Sequence, residues 1–138
     1  QLMSKSYPEF SLNQQFYAKI KIHIKDIITK INNQTSINVF VKNTGGALWR
    51  KETFSGKRMI RLGVQLFDRN KNLIELNYAR AFLNKALKKG EKDIIKIILP
   101  PLSDPGKYFI KFDMVSEGID WFESGGSPVV WKNLSVIS

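Results

Sequence analysis

Pro105-Gly106-Lys107-Tyr108, then Asp113-Met114-Val115-Ser116-Glu117-Gly118-Ile119-Asp120-Trp121-Phe122, then Trp131, form the stretch that decides the fold. Pro-Gly punctuates a chain as a turn. A tyrosine two residues after that glycine, at the head of a strand, is placed to return its hydroxyl to the backbone of the turn. The spacing predicts a largely buried Tyr108 bonded to backbone in the region from Leu102 to Pro105. Beyond it the order reads as a strand over 108–115, an aromatic loop, and a final strand over 129–137.

Working back toward the start, the chain keeps a period of two. Ala18, Ile20, Ile22 and Ile24 alternate with Lys19, Lys21, His23 and Lys25. That alternation predicts a half-buried strand. Asn32-Asn33-Gln34 is a turn, and Ile37, Val39 and Val41 mark a second strand that stops at Asn43-Thr44-Gly45-Gly46. Residues 49–57 are a polar, irregular connection. Ile60, Leu62, Val64 and Leu66 mark a third strand, with Arg61, Gly63 and Gln65 on its other face. Asp68-Arg69-Asn70-Lys71-Asn72 is a hairpin loop leading to a fourth strand over 73–78. Residues 80–89 have a helix-favouring composition, stopped early by Gly90, and predict an extended connection with one helical turn. A fifth strand over 93–99 closes at Pro100-Pro101. Seven short strands with regular turn signals predict an all-β, immunoglobulin-like antiparallel sandwich of seven to eight strands over residues 17–138. Residues 1–16, polar with Tyr7, Phe10 and Phe16, read as a leader or linker.

Composition narrows the function. The chain of 138 residues is long enough for one domain with a real core. It has no cysteine, which excludes disulfides, thiolate nucleophiles and cysteine–zinc sites. No apolar run approaches the ~20 residues that span a bilayer, so no membrane insertion is expected. The formal net charge is +10, from 22 basic and 12 acidic residues. The lysines are spread over most segments, with the densest cluster at Lys85, Lys88, Lys89 and Lys92, and this pattern predicts a solvated basic surface rather than a specific nucleic-acid site. A chain that starts at Gln1 is expected to come from a longer protein.

Several motifs together resemble a family of bacterial immunoglobulin-like accessory domains that occur beside glycosyltransferases and other cell-surface polysaccharide proteins. The matching residues are Val41 through Trp49, Leu62-Gly63-Val64, Gly90-Glu91, Pro101 through Tyr108, and Glu117-Gly118-Ile119-Asp120-Trp121-Phe122. The same skeleton is similar to the four-tryptophan (FW) domain, although this chain has three tryptophans. Both resemblances imply a non-catalytic β-sandwich. The first implies a binding or spacer module beside a glycan enzyme or transporter, in the cytoplasm or peripheral to the membrane. A protein–protein interaction module is the alternative.

Trp121 and Phe122 are the sharpest site candidates. Flat aromatic faces stack on sugar rings, and Glu117, Asp120 and Glu123 stand ready to accept hydrogen bonds from sugar hydroxyls. The opposing reading makes Trp121 a plug at one end of the sandwich, as large aromatics are usually well buried. Trp49 reads as core, and the facing of Trp131 stays open. The three acids do not have the spacing of a calcium loop, and no cofactor is implied. His23 is the single histidine, has no partner for a triad or metal set, and reads as a surface residue. Gly45-Gly46 and Gly125-Gly126 lack the patterns of phosphate-binding loops. Nothing in the chain assembles a catalytic set.

Overall fold

The structure is a computed structural model and describes residues 15–138. The expected leader lies outside the described residues except for Gln15 and Phe16. These two are already tied to the domain: the carbonyl of Gln15 accepts the N–H of Ala47 at 3.0 Å, and the Phe16 ring meets Phe122 edge-on with centroids 5.6 Å apart.

Among the described residues nine strands run in the order β1 (Ala18–Lys21), β2 (Asp26–Lys30), β3 (Thr35–Asn43), β4 (Ile60–Phe67), β5 (Leu73–Phe82), β6 (Lys92–Leu99), β7 (Gly106–Ser116), β8 (Asp120–Trp121) and β9 (Val130–Ile137). A single 3-10 turn, Phe122–Gly125, follows β8. A small sheet has the order β1-β3-β6, and a large sheet the order β2-β9-β7-β4-β5, with β8 paired to the end of β7. The two sheets pack face to face as an immunoglobulin-like sandwich. The core between them is built from the alternate residues that the period-two pattern marks, among them Ile37, Val39 and Val41 of β3, Leu62 and Val64 of β4, Ile95 and Ile97 of β6, and Ile110 and Phe112 of β7. Trp49 joins this core with no exposed surface, as expected.

Three features depart from the expectation. The first predicted strand stops at Lys21, and a further strand, β2, follows it in the other sheet. The apolar positions are even-numbered through Ile22, then Ile24 is exposed and the next buried residue is Ile27. That change of parity marks the place where the chain leaves β3 and crosses to β9. The β2–β9 pair is parallel, from Asp26 opposite Asn133 to Lys30 opposite Ile137, in a sandwich whose other pairs are antiparallel. The third departure is at residues 80–89, which hold no helical turn. β5 continues to Phe82, and Leu83 and Leu87 are drawn into the core, where Leu87 bridges Trp49. Tertiary burial overrides the helix propensity of the segment.

Three side chains fix the loops. Asn43 is fully buried; its amide donates to the carbonyls of Ala47 and Leu87 at 2.9 Å each, and its carbonyl accepts the N–H of Gly45 at 3.0 Å. The bonds to Ala47 and Gly45 brace the Asn43–Ala47 turn, and the bond to Leu87 clamps the β5–β6 connection to it. Tyr108 donates to the carbonyl of Asp104 at 2.8 Å, within the predicted segment. Its ring is half-buried rather than largely buried, because it stands at the margin of the sandwich. Tyr78 reaches the same connection from β5, donating to the carbonyl of Pro100 at 2.5 Å, and burial pushes its hydroxyl up to about 12.

Candidate functional site

The aromatic loop is a tight reversal at the end of β7. Gly118 takes a φ of +75°, which few residues other than glycine adopt, and the chain turns back so that Asp120 pairs with Ser116 and Trp121 with Val115. Consecutive residues of an extended chain point to opposite sides. Trp121 and Phe122 accordingly separate. Phe122 turns into the sandwich, is 2% exposed, and packs edge-on against Trp49 with centroids 5.7 Å apart. The expectation of Phe122 as an open stacking face is corrected here: its ring packs into the core, and Phe122 borders the groove beside the loop only as a buried residue.

Trp121 turns the other way, onto the outer face of the large sheet. It is half-buried and belongs to no part of the core. Its ring lies against β4 at Gly63, so closely that a Cβ at position 63 would stand 2.7 Å from the indole. The Arg80 guanidinium lies 4.6 Å from the ring centroid. The absent side chain at Gly63 thus makes the seat, and a cation–π contact holds the ring in it.

The three predicted acids have three different partners. Glu117 Oε2 accepts from Arg61 Nε at 2.6 Å and from Arg80 Nε at 3.0 Å, all three side chains being mostly shielded from solvent. Glu123 Oε1 accepts from Lys111 Nζ at 2.7 Å. Asp120 stays at the surface, where its Oδ1 accepts the N–H of Trp121 at 2.7 Å and the hydroxyl of Ser124 at 2.9 Å. The structure therefore brings Asp120 and Trp121 together, uses Glu117 to anchor the arginine that packs on Trp121, and directs Glu123 toward β7.

A groove of about 210 Å³ opens beside this loop. Phe16, Ile119 and Trp121 give it apolar walls, and Ser116, Asp120 and Ser124 give it polar ones. Asp113 of β7, bonded to the 3-10 segment that follows the loop, has no exposed surface. One carboxylate oxygen accepts the N–H of Met114 at 2.8 Å and the other the N–H of Glu123 at 2.9 Å, so the strand fastens the first turn of the 3-10 segment. Burial pushes this carboxyl up to about 7, outweighing the two hydrogen bonds that favour its charge.

Sequence reasoning missed Phe16, Arg61, Gly63, Arg80, Asp113 and Ser124 as parts of this site. Arg61 and Gly63 did carry a signal, since the alternation of β4 places both on the face away from the core. Asp113 carried another, as a charged residue inside the apolar run Phe112 to Val115. No grouping of three or more histidine or acidic side chains suited to a metal ion occurs among the described residues. No helix among them is long and apolar enough to cross a membrane.

No protein-family model and no curated protein matches the chain. Solved structures do. The chain is similar to the solution structure of the CARDB domain of a Pyrococcus furiosus protein, at 18% identity and a TM-score of 0.51, over 89% of this chain and 94% of that one. It is also similar to a portion of the β-glucosidase of Listeria innocua, at 17% identity and a TM-score of 0.53. There the match covers 88% of this chain but 16% of the enzyme. The glucose complex of the same enzyme matches at 16% identity and a TM-score of 0.51. These likenesses show a fold: the chain is an immunoglobulin-like β-sandwich module.

Proposed function

We propose that the chain is a non-catalytic binding module for a glycan, carried in a longer bacterial protein of cell-surface polysaccharide metabolism. The observation that carries the reading is the groove at the β8 loop, with the Trp121 indole and Ile119 as apolar walls and Asp120, Ser116 and Ser124 as hydrogen-bonding groups. Sugars present both kinds of surface at once: C–H faces for an aromatic ring and hydroxyls for a carboxylate. Trp121 and Asp120 are the contact residues in this reading. Glu117 acts through Arg80 on the position of Trp121, and Glu123 and Phe122 hold the loop from below. The motif resemblance to accessory domains of polysaccharide proteins supports the same assignment. So does the occurrence of a similar fold as 16% of a β-glucosidase chain.

The test is glycan retention on an array followed by titration. Trp121→Ala is expected to remove binding and to leave the melting temperature nearly unchanged, because the ring lies outside the core. A variant that binds as well as the parent protein, or a parent protein that retains no glycan, overturns the reading.

A second reading is a protein-docking module, and one observation favours it. β5 is an edge of the large sheet with no further strand paired to it among the described residues, and Leu73, Ile74 and Leu76 along it are 51%, 52% and 41% exposed. An unpaired strand with apolar side chains is a template for strand addition. Loss of a partner on Ile74→Lys, with glycan binding untouched, distinguishes the two.

A further inference from the structure

The small sheet gathers charge that is scattered along the chain. Lys19 of β1 stands opposite Lys42 of β3, and Lys42 stands opposite Lys92 of β6. All three point away from the core, since Ala18, Val41 and Ile95 set the buried parity of their strands. Neighbouring strands are about 4.8 Å apart, so the row places three ammonium stems across about 10 Å of sheet. Directly opposed like charges destabilise a sheet. Two more lysines extend the patch: Lys21 lies in the next row, beside Phe40 and Ile94, and Lys96 lies opposite Asn38. None of the five lysines forms an ion pair among the described residues, and no acidic residue occupies this face of the three strands.

The face also carries apolar groups where solvent would favour polar ones. Ile94 is 58% and Ile98 48% exposed, and the half-buried Phe40 ring lies 5.8 Å from the Lys92 ammonium. We propose that the outer face of β1, β3 and β6 docks on an anionic lipid surface, with the lysines at the headgroups and Ile94 and Ile98 at the acyl boundary. Charge complementarity selects an anionic partner. The isoleucines select a bilayer over a soluble polyanion, which has no apolar layer to receive them. The absence of arginine from the face fits the same choice: lysines act as point charges on a diffuse field, whereas nucleic-acid recognition draws on bidentate guanidinium contacts.

Co-sedimentation with phosphatidylglycerol–phosphatidylcholine vesicles, against vesicles of phosphatidylcholine alone, tests the proposal. The protein is expected to bind the anionic vesicles and to release them as salt rises. Each lysine near an anionic surface strengthens binding about fivefold, so Lys19→Thr, Lys42→Thr and Lys92→Thr together should weaken it about 100-fold. The matched triple change Lys30→Thr, Lys57→Thr and Lys107→Thr, on the large sheet and its loops, should cost far less. Ile94→Ser with Ile98→Ser should weaken vesicle binding about tenfold through lost apolar burial. Circular dichroism of each variant confirms the fold. No preference for anionic vesicles overturns the proposal. Equal loss from the two lysine triples also overturns it. Tight binding to soluble polyphosphate that needs the lysines and ignores both isoleucines assigns the face to a soluble polyanion instead, and likewise overturns it.

Discussion

The two outer faces of the sandwich treat charge in opposite ways. On the large sheet the cations around β4, β5 and the centre of β7 are engaged. Arg61 and Arg80 share Glu117, Lys111 pairs with Glu123, and Arg80, Lys71 and Lys111 lie over aromatic rings at Trp121, Phe109, Trp131 and Phe67. On the small sheet five lysines stand in adjoining rows without an acidic partner on their face. The net charge of +10 says nothing of this division. A face whose charges are satisfied internally is organised by its own contacts. A face whose charges repel one another is not held together by contacts among those charges.

The strongest test of the large-sheet side is the contrast between the neighbours Trp121 and Phe122. Phe122→Ala empties a site in the core and should lower stability by about 3–5 kcal/mol, measured by urea denaturation. Trp121→Ala, on the outer face, should fall well short of that. Similar losses from both would show that the outer cover and the core are one unit, and the comparison would break there.

A smaller effect concerns Asp113, which joins that cover to the sheet. Its carboxyl titrates near 3.8 when the chain is unfolded and is pushed up to about 7 by burial in the fold. Between those values the native state holds a proton that the unfolded state has released, so stability falls as pH rises. The contribution is complete below about pH 4 and is lost as pH climbs through about 7. Melting temperature is expected to be higher at pH 5 than at pH 8. Asp113→Asn, which cannot ionise, should flatten that dependence while losing about one backbone hydrogen bond, on the order of 1 kcal/mol. An unchanged pH slope in the variant would remove Asp113 from this role.

The smallest effect sharpens the other face. Lys42→Thr relieves the central repulsion of the lysine row and places a β-branched residue in a strand. It should stabilise the protein by a few tenths of a kcal/mol at low salt, and by less as salt screens the row. Destabilisation at low salt would mean that the row is held by contacts other than those described.

What could be read from the sequence divides along the same line. Tyr108 and its turn were legible because the bond to Asp104 spans four residues. The core was legible because strand alternation is a local pattern. The strand switch was not, since the alternation from Ala18 runs on to Ile24 and hides the loss of its partner. Residues 80–89 misled because their composition reports local preference, while Leu83 and Leu87 answer to a distant core. The carboxylates of the aromatic loop could be named from the sequence, but their partners could not. Arg61 lies 56 residues from Glu117 and Arg80 lies 37 away, and only the register of β4, β5 and β7 brings them together. Lys19, Lys42 and Lys92 likewise looked dispersed until β3 lay between β1 and β6.

The crossing of the chain between sheets after β1 has a mechanical consequence. β2 lies near the start of the fold and β9 at its end, side by side and pointing the same way. Tension applied between the two ends draws these strands past each other along their length. Their hydrogen bonds lie across that direction, so the five paired positions from Asp26–Asn133 to Lys30–Ile137 take the load together. An antiparallel pair pulled open at one end would release its bonds one after another. A module pulled through both ends therefore resists as a shear joint, and the brief parallel pairing of β2 with β9 supplies that resistance.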